Sequence, residues 1–166
     1  MFPLKKNSCA SIPYFLLLGF CLFLFSACVT TDVFEKNVAI PNHAWNTTFK
    51  PTISFTVKDS TVPYHIYVVV RHTDAYRYKN IWINVHTQAP SDVTSSQPLD
   101  LQLATDNKGW LGTGMDDIFE HRILLTPAQQ PERLRKGTYL FRIANIMRED
   151  PLEHVMNVGI RVEKAK

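Results

Sequence analysis

The feature that most restricts this chain is a period-two alternation of apolar and polar residues, which returns along its length. Ile53, Phe55 and Val57 alternate with Ser54, Thr56 and Lys58. Tyr64, Ile66, Val68 and Val70 do so in "YHIYVVVR", and Ile81, Ile83 and Val85 alternate with Asn80, Trp82, Asn84 and His86. Leu99, Leu101 and Leu103 flank Asp100 and Gln102, and Val158, Ile160 and Val162 flank Gly159 and Arg161. Two further runs, Ile118 to Leu125 and Thr138 to Ile146, are rich in β-branched and aromatic residues. Successive side chains of a strand point to opposite faces, so each run reads as a strand with one side on a core. The segments "KDST" with Pro63, "APSD", "TDNKG" and "PAQQPE" leading to "RKG" supply turn chemistry between them. Seven or eight such strands predict an all-β chain: a single antiparallel β-sandwich domain. Pro127 to Leu134 is the one stretch with the makings of a helical turn.

The amino terminus has a different character. Lys5 and Lys6 precede an apolar stretch from Ile12 to Phe25, and the small residues Ser26 and Ala27 come before Cys28. A positive start, an apolar run and a small-residue cleavage site form a secretory leader. The apolar run is about 14 residues, short of the roughly 20 that a spanning helix needs, and Pro13 lies near its start. "FSAC" resembles the lipobox of bacterial lipoproteins, where cleavage leaves the cysteine as an acylated first residue. The sequence thus predicts a signal peptide over 1–27, a lipidated Cys28 with a polar tether over 28–42, and the sandwich over 43–166.

Loss of the leader removes Lys5 and Lys6 from the 18 basic residues, leaving 16 against 15 acidic. Without a basic field, nucleic acid is not an expected partner. Cys28 is the one cysteine left, so the domain has no internal disulfide and must hold by packing.

Motifs for chemistry are sparse. His43, His65, His72, His86, His121 and His154 are scattered with no ligand spacing, so no metal is predicted, and His121 reads as an edge or packed imidazole. "GWLGTGMDD" is rich in glycine, but Asp116 and Asp117 follow where a phosphate loop needs Lys and Ser or Thr. Trp110, Gly112 and Gly114 read instead as a structural corner, with positive φ at the glycines beneath the indole. No G-x-S-x-G is present and the only mature thiol is the acylated one, so no enzyme, cofactor or small-molecule substrate is predicted. "RHTDAYRYKNIWINV" gathers Tyr76, Arg77, Tyr78, Asn80 and Trp82 between two strands, the residue types of binding hot spots. Arg77 separates the two tyrosines, so in an extended segment it points away from them, towards solvent or a partner.

Three segments, "RHTDAYRYKNIWINV", "DNKGWLGTGMDDIFEHRILL" and "GTYLFRIANIMREDPLEHVMNVGIRVE", resemble in order and spacing the gliding-motility lipoprotein family GldH of Bacteroidetes. Tyr76, Tyr78, Asn80, Ile81 and Trp82 match its Tyr-x-Tyr-x-Asn segment, and Trp110, Leu111, Gly112 and Gly114 its Trp-Leu-Gly-x-Gly corner. Met147, Arg148, Leu152, Val158, Gly159, Ile160 and Arg161 match its ending, and Trp45 an early tryptophan. The resemblance implies a non-catalytic, lipid-anchored envelope protein of the outer membrane, associated with gliding motility and type IX secretion. Its partners would be other envelope proteins of that machine. "CVTTDVFEK" lacks the acidic run resembling a surface-export signal in these bacteria, so a periplasm-facing position is expected. The alternative is a lipoprotein that binds polysaccharide through exposed Trp82, Trp110 and the tyrosines.

Overall fold

The computed structural model describes residues 33–126 and 131–165. Cys28 and the expected leader over 1–27 lie outside them. Thirteen strands occur among the described residues: β1 (Val33–Ala39), β2 (Ala44–Trp45), β3 (Thr52–Val57), β4 (Tyr64–Thr73), β5 (Asn80–Gln88), β6 (Thr94–Gln102), β7 (Ala104–Thr105), β8 (Gly109–Trp110), β9 (Thr113–Met115), β10 (Ile118–Leu124), β11 (Gly137–Asn145), β12 (Leu152–Glu153) and β13 (Val155–Lys164). Nine form two antiparallel sheets, ordered β1-β13-β4-β10-β9 and β3-β11-β5-β6. The short pairs β2–β12 and β7–β8 trim one end.

The inward faces of the sheets share one core. Val68 and Val70 of β4 and Val158 and Ile160 of β13 meet Ile53 of β3, Ile81 and Ile83 of β5, and Phe141 and Ile143 of β11. These are the apolar positions of the alternation, and removing them from water is the main force holding the sheets together. Trp45 is fully buried, its indole N–H donating to the Phe49 carbonyl at 2.8 Å, while its own carbonyl accepts from the Asn145 amide at 3.0 Å. The all-β sandwich expected from the sequence is the observed fold.

The outward faces differ sharply. On the five-stranded sheet Glu35 stands opposite Arg161, Arg161 opposite Tyr67, and Arg71 opposite Glu120. Arg161 pairs with Glu35 and Glu163 at 2.9 Å each, Arg122 with Glu120 at 2.8 Å, and Arg71 with Glu120. Burial works to raise the Glu35 and Glu163 pKa values, yet hydrogen bonds from Arg161, with Asn37 on Glu35 and Tyr67 on Glu163, bring both below the ordinary value. The four-stranded sheet instead presents Ser54, Thr56, Asn84, His86 and Ser96. Its edge strand β6 is exposed through residues 94–98 and carries Pro98, which has no N–H to offer another chain.

Three expectations need correction. The segment 28–42 is not a tether throughout: β1 pairs with β13 over seven residues from Val33, and Ile40 is buried. Its phase was hidden because an exposed lysine, Lys36, shares the phase of Phe34 and Val38 on this edge strand, opposite Ile160. Of the helical turn expected over Pro127 to Leu134, residues 127–130 lie outside the described residues. Glu132 makes a β-bridge to Tyr64 rather than a helical turn, and Leu134 is buried. Finally, Gly112 and Gly114 do not have positive φ; Gly109 (+65°) and Gly137 (+131°) do.

Candidate functional site

The motif residues collect at the end of the sandwich where β4 passes to β5. β4 keeps its inward phase from Tyr64 through Val70 to His72, which is fully buried. Across β10, His121 is also buried, opposite Val70. The two Nε2 atoms lie 2.9 Å apart, and His72 Nδ1 is 2.8 Å from the Thr73 carbonyl. A carbonyl only accepts, so His72 carries its proton on Nδ1 and accepts at Nε2 from the Nε2–H of His121. Burial depresses both pKa values, and the neighbouring His72 adds to the effect on His121, which falls to about 4. The pair is neutral, and it is packed in rings: Trp110 lies 4.4 Å from His72, Tyr76 5.1 Å and Phe119 5.8 Å. Trp110 is fixed from outside, its N–H donating to Asp74 at 2.7 Å.

The glycine corner closes over this cluster by close approach. A methyl at Gly112 would sit 2.5 Å from the Glu120 carbonyl oxygen and 2.9 Å from His121 Cε1; one at Gly114 would sit 2.8 Å from the Phe119 ring. Trp110, Gly112 and Gly114 are thus a structural corner, for steric reasons and not for backbone sign.

The five candidate binding residues separate into buried and exposed sets. Tyr76 is buried, its hydroxyl donating to the Asn80 carbonyl at 3.0 Å, and burial raises its pKa. Tyr78 packs edge-on to Tyr76 at 5.8 Å and donates to Glu149 Oε2 at 2.8 Å. Arg77 pairs with the other oxygen of Glu149, although its side chain remains 64% exposed. Arg77 and Tyr78 therefore converge on one carboxylate from the 146–149 segment, and Arg77 does not point away from Tyr78 as expected, because residues 74–79 form a loop and not an extended strand. Asn80 donates to Asp100 at 2.6 Å, on the wall of a polar cleft of about 490 Å³ that Lys79, Gln102 and Asp106 also line. Trp82 is 42% exposed on the outward face of the four-stranded sheet, with its backbone N–H on the Met147 sulfur at 3.2 Å and exposed Ile146 bonded to its carbonyl.

Arg77, Tyr78, Glu149, Met147, Trp82 and Asn80 thus form one surface strip, with Tyr76 as its support. Glu149 and Met147 were not legible as members, because their approach depends on the return of β11 beside β5. His72 was legible, since it lies two residues beyond Val70 in the inward phase. Among the described residues no group of three or more His, Cys, Asp or Glu side chains could hold a metal ion. With His72 and His121 occupied by each other and sealed under Trp110, the strip offers charge, amide and aromatic surface: the chemistry of binding.

Two curated proteins are similar along nearly the whole chain. One is named a gliding motility lipoprotein GldH homolog, from Christiangramia forsetii, with 26% identity over 88% of this chain and 92% of its own. The other is named gliding motility lipoprotein GldH, from Flavobacterium johnsoniae, with 28% identity over 90% of this chain and 94% of its own. Among solved structures, the infectious bursal disease virus VP2 subviral particle aligns at a TM-score of 0.29 and 13% identity, and the match spans only 34% of that chain. The model of the GldH lipoprotein family matches residues 32–162, which include every strand from β1 and all but the last residues of β13. The chain belongs to the GldH lipoprotein family.

Proposed function

We propose that this protein is a non-catalytic, lipid-anchored envelope subunit that joins a gliding-motility or type IX secretion machine through protein contacts. Cys28 carries the acyl chains in this reading, and the domain faces the periplasm from the outer membrane. Three acyl chains would make the anchor effectively permanent, since each buried CH₂ contributes about 0.8 kcal/mol. The observation that carries the reading is the convergence of Arg77 and Tyr78 on Glu149, beside exposed Trp82 and Ile146. Aromatic rings and an arginine held in place by a shared carboxylate suit a partner surface, because little side-chain freedom is lost when a partner docks. Family membership supports it from a separate direction.

The test is capture of the tagged full-length lipoprotein from solubilised envelopes. Recovery of defined envelope subunits in stoichiometric amount supports the reading; recovery of the lipoprotein alone contradicts it.

One observation favours a second reading, polysaccharide binding. Trp82 stands half-exposed on a face made mostly of hydroxyl and amide side chains, with one charge of each sign (Asp100 opposite it, Arg142 opposite His86), a surface that suits a sugar polymer. Trp110 does not share in it, being packed on His72 and bonded to Asp74. Retention of the protein on envelope polysaccharide, lost in Trp82→Ala, would favour this reading over protein contacts.

A further inference from the structure

The two ends of the sandwich are unlike in charge, and the start of β1 ties one of them to the anchor. Val33 pairs with Glu163, Glu163 with His65, and the 58–63 segment joins Val57 to Tyr64. Lys164 approaches Asp59 at 3.9 Å, the Ala165 N–H donates to the Pro63 carbonyl, and Gly137 abuts Pro90. Hence Val33 shares an end with the segments 58–63, 89–93 and 131–136. Those segments and residues 164–165 hold five basic residues (Lys58, Arg133, Arg135, Lys136, Lys164) against three acidic (Asp59, Asp92, Glu132). Arg135 pairs with Asp92. Lys58, Arg133 and Lys136 are exposed, with no ion pair to another described residue. At the opposite end the segments 40–51, 74–79, 103–117 and 146–154 hold five basic residues against seven acidic.

The reach of the chain connects this asymmetry to the membrane. Only residues 29–32 separate Cys28 from β1. Fully extended, the five steps from Cys28 to Val33 span roughly 17 Å. The ten residues of β4 run about 33 Å, so the opposite end stands well beyond that reach when the domain is upright. The other surfaces offer no competing basic field. On the outward face of the five-stranded sheet, Arg71, Arg122 and Arg161 are matched by Glu35, Glu120 and Glu163. The outward face of the four-stranded sheet is mostly uncharged.

We propose that the Val33 end of the sandwich rests on the bilayer, with Lys58, Arg133 and Lys136 on anionic phospholipid headgroups. The inference rests on lipidation at Cys28. Basic side chains close to an anionic surface are attracted to it, and the attraction fades within a Debye length, about 8–10 Å, so the short connection keeps them in range. The exposed tip of the β5–β6 hairpin, with Val93 84% exposed, lies at this same end. The Arg77–Glu149–Tyr78 strip is then carried on the far side, clear of the membrane.

The experiment uses the lipidated full-length protein in phosphatidylcholine vesicles with or without phosphatidylglycerol. Since Cys28 is the one cysteine of the mature chain and its sulfur is acylated, Val93→Cys and Asn107→Cys each provide a unique label. Flotation with the vesicles reports the anchor, and quenching of the label by lipid-borne nitroxide reports the orientation. The expected result is flotation of both variants, with quenching at residue 93 several-fold stronger than at 107. Adding Lys58→Glu, Arg133→Glu and Lys136→Glu, with an unchanged melting temperature, should at least halve the quenching at 93 when phosphatidylglycerol is present, and leave flotation intact. Equal quenching at the two positions in floating protein would overturn the orientation, and quenching at 93 unaffected by the three substitutions would overturn the headgroup contact. Protein that fails to float overturns the anchor and this proposal together.

Discussion

His72 and His121 face each other through their Nε2 atoms at 2.9 Å, buried beneath Trp110, and only one proton fits between them. Each depressed folded-state pKa, about 4 for His121, lies below the unfolded value of 6.5. Between those limits the unfolded chain binds protons that the folded chain refuses. Stability is therefore complete above pH 6.5 and falls as the pH drops through 6.5 towards 4. For His121 the loss is on the order of 3 kcal/mol. Melting temperatures between pH 7 and 4.5 should show a decline of several degrees. His121→Gln should flatten it, whatever it does to the absolute midpoint. An equal decline in that variant would mean that other groups carry the acid sensitivity.

The glycine corner is expected to fail by collision. Gly112→Ala forces a methyl against the Glu120 carbonyl, which is sheet backbone and cannot yield. Gly109→Ala meets open space and bears only the cost of a left-handed backbone, roughly 1–2 kcal/mol. Chemical denaturation should therefore rank Gly112→Ala as clearly more damaging than Gly109→Ala. The reverse order would restore backbone sign as the reason for the motif.

On the outward face of the five-stranded sheet, Arg161 links Glu35 to Glu163 and is mostly covered, whereas Arg122 is about half exposed. Arg161→Leu takes the shared cation from Glu163 and leaves Glu35 only Arg122, at 3.8 Å, and should cost about 1–3 kcal/mol. Arg122→Leu should cost under about 1 kcal/mol. Denaturation midpoints of the two variants at low and high salt check the ranking.

Acylation offers a direct check at the amino terminus. Cys28→Ser should take up no labelled palmitate and leave either unprocessed precursor or soluble material. Equal labelling of variant and parent would place the acyl chains elsewhere.

How much of this was legible depended on whether a strand has two different faces. β3, β4, β5 and β13 have one face in the core and one in solvent, so their residues alternate and their phase can be read. The first half of β6, "TSSQP", is exposed on both faces and has nothing to alternate. β1 conceals its phase because exposed Lys36 shares the phase of Phe34 and Val38 at a sheet edge. His72 continues a visible phase, but its partner His121 comes from 49 residues away, and only the β4–β10 register joins them. The same holds for the strip: Tyr76, Arg77, Tyr78, Asn80 and Trp82 are close in sequence, while the Glu149 that orders two of them is 71 and 72 residues distant.

Docking of envelope partners at the Arg77 end is the central claim, and Arg77→Glu tests it most directly. The guanidinium is exposed, so the substitution sets one carboxylate beside another at Glu149 without touching the buried Tyr76. Tagged parent and variant lipoproteins, expressed at equal levels, would be captured from envelopes and their co-purifying subunits quantified, alongside a melt of each. The expected result is a melting temperature within a few degrees of the parent and a several-fold loss of co-purifying envelope proteins. Full recovery of those partners with the Arg77→Glu protein would contradict the claim.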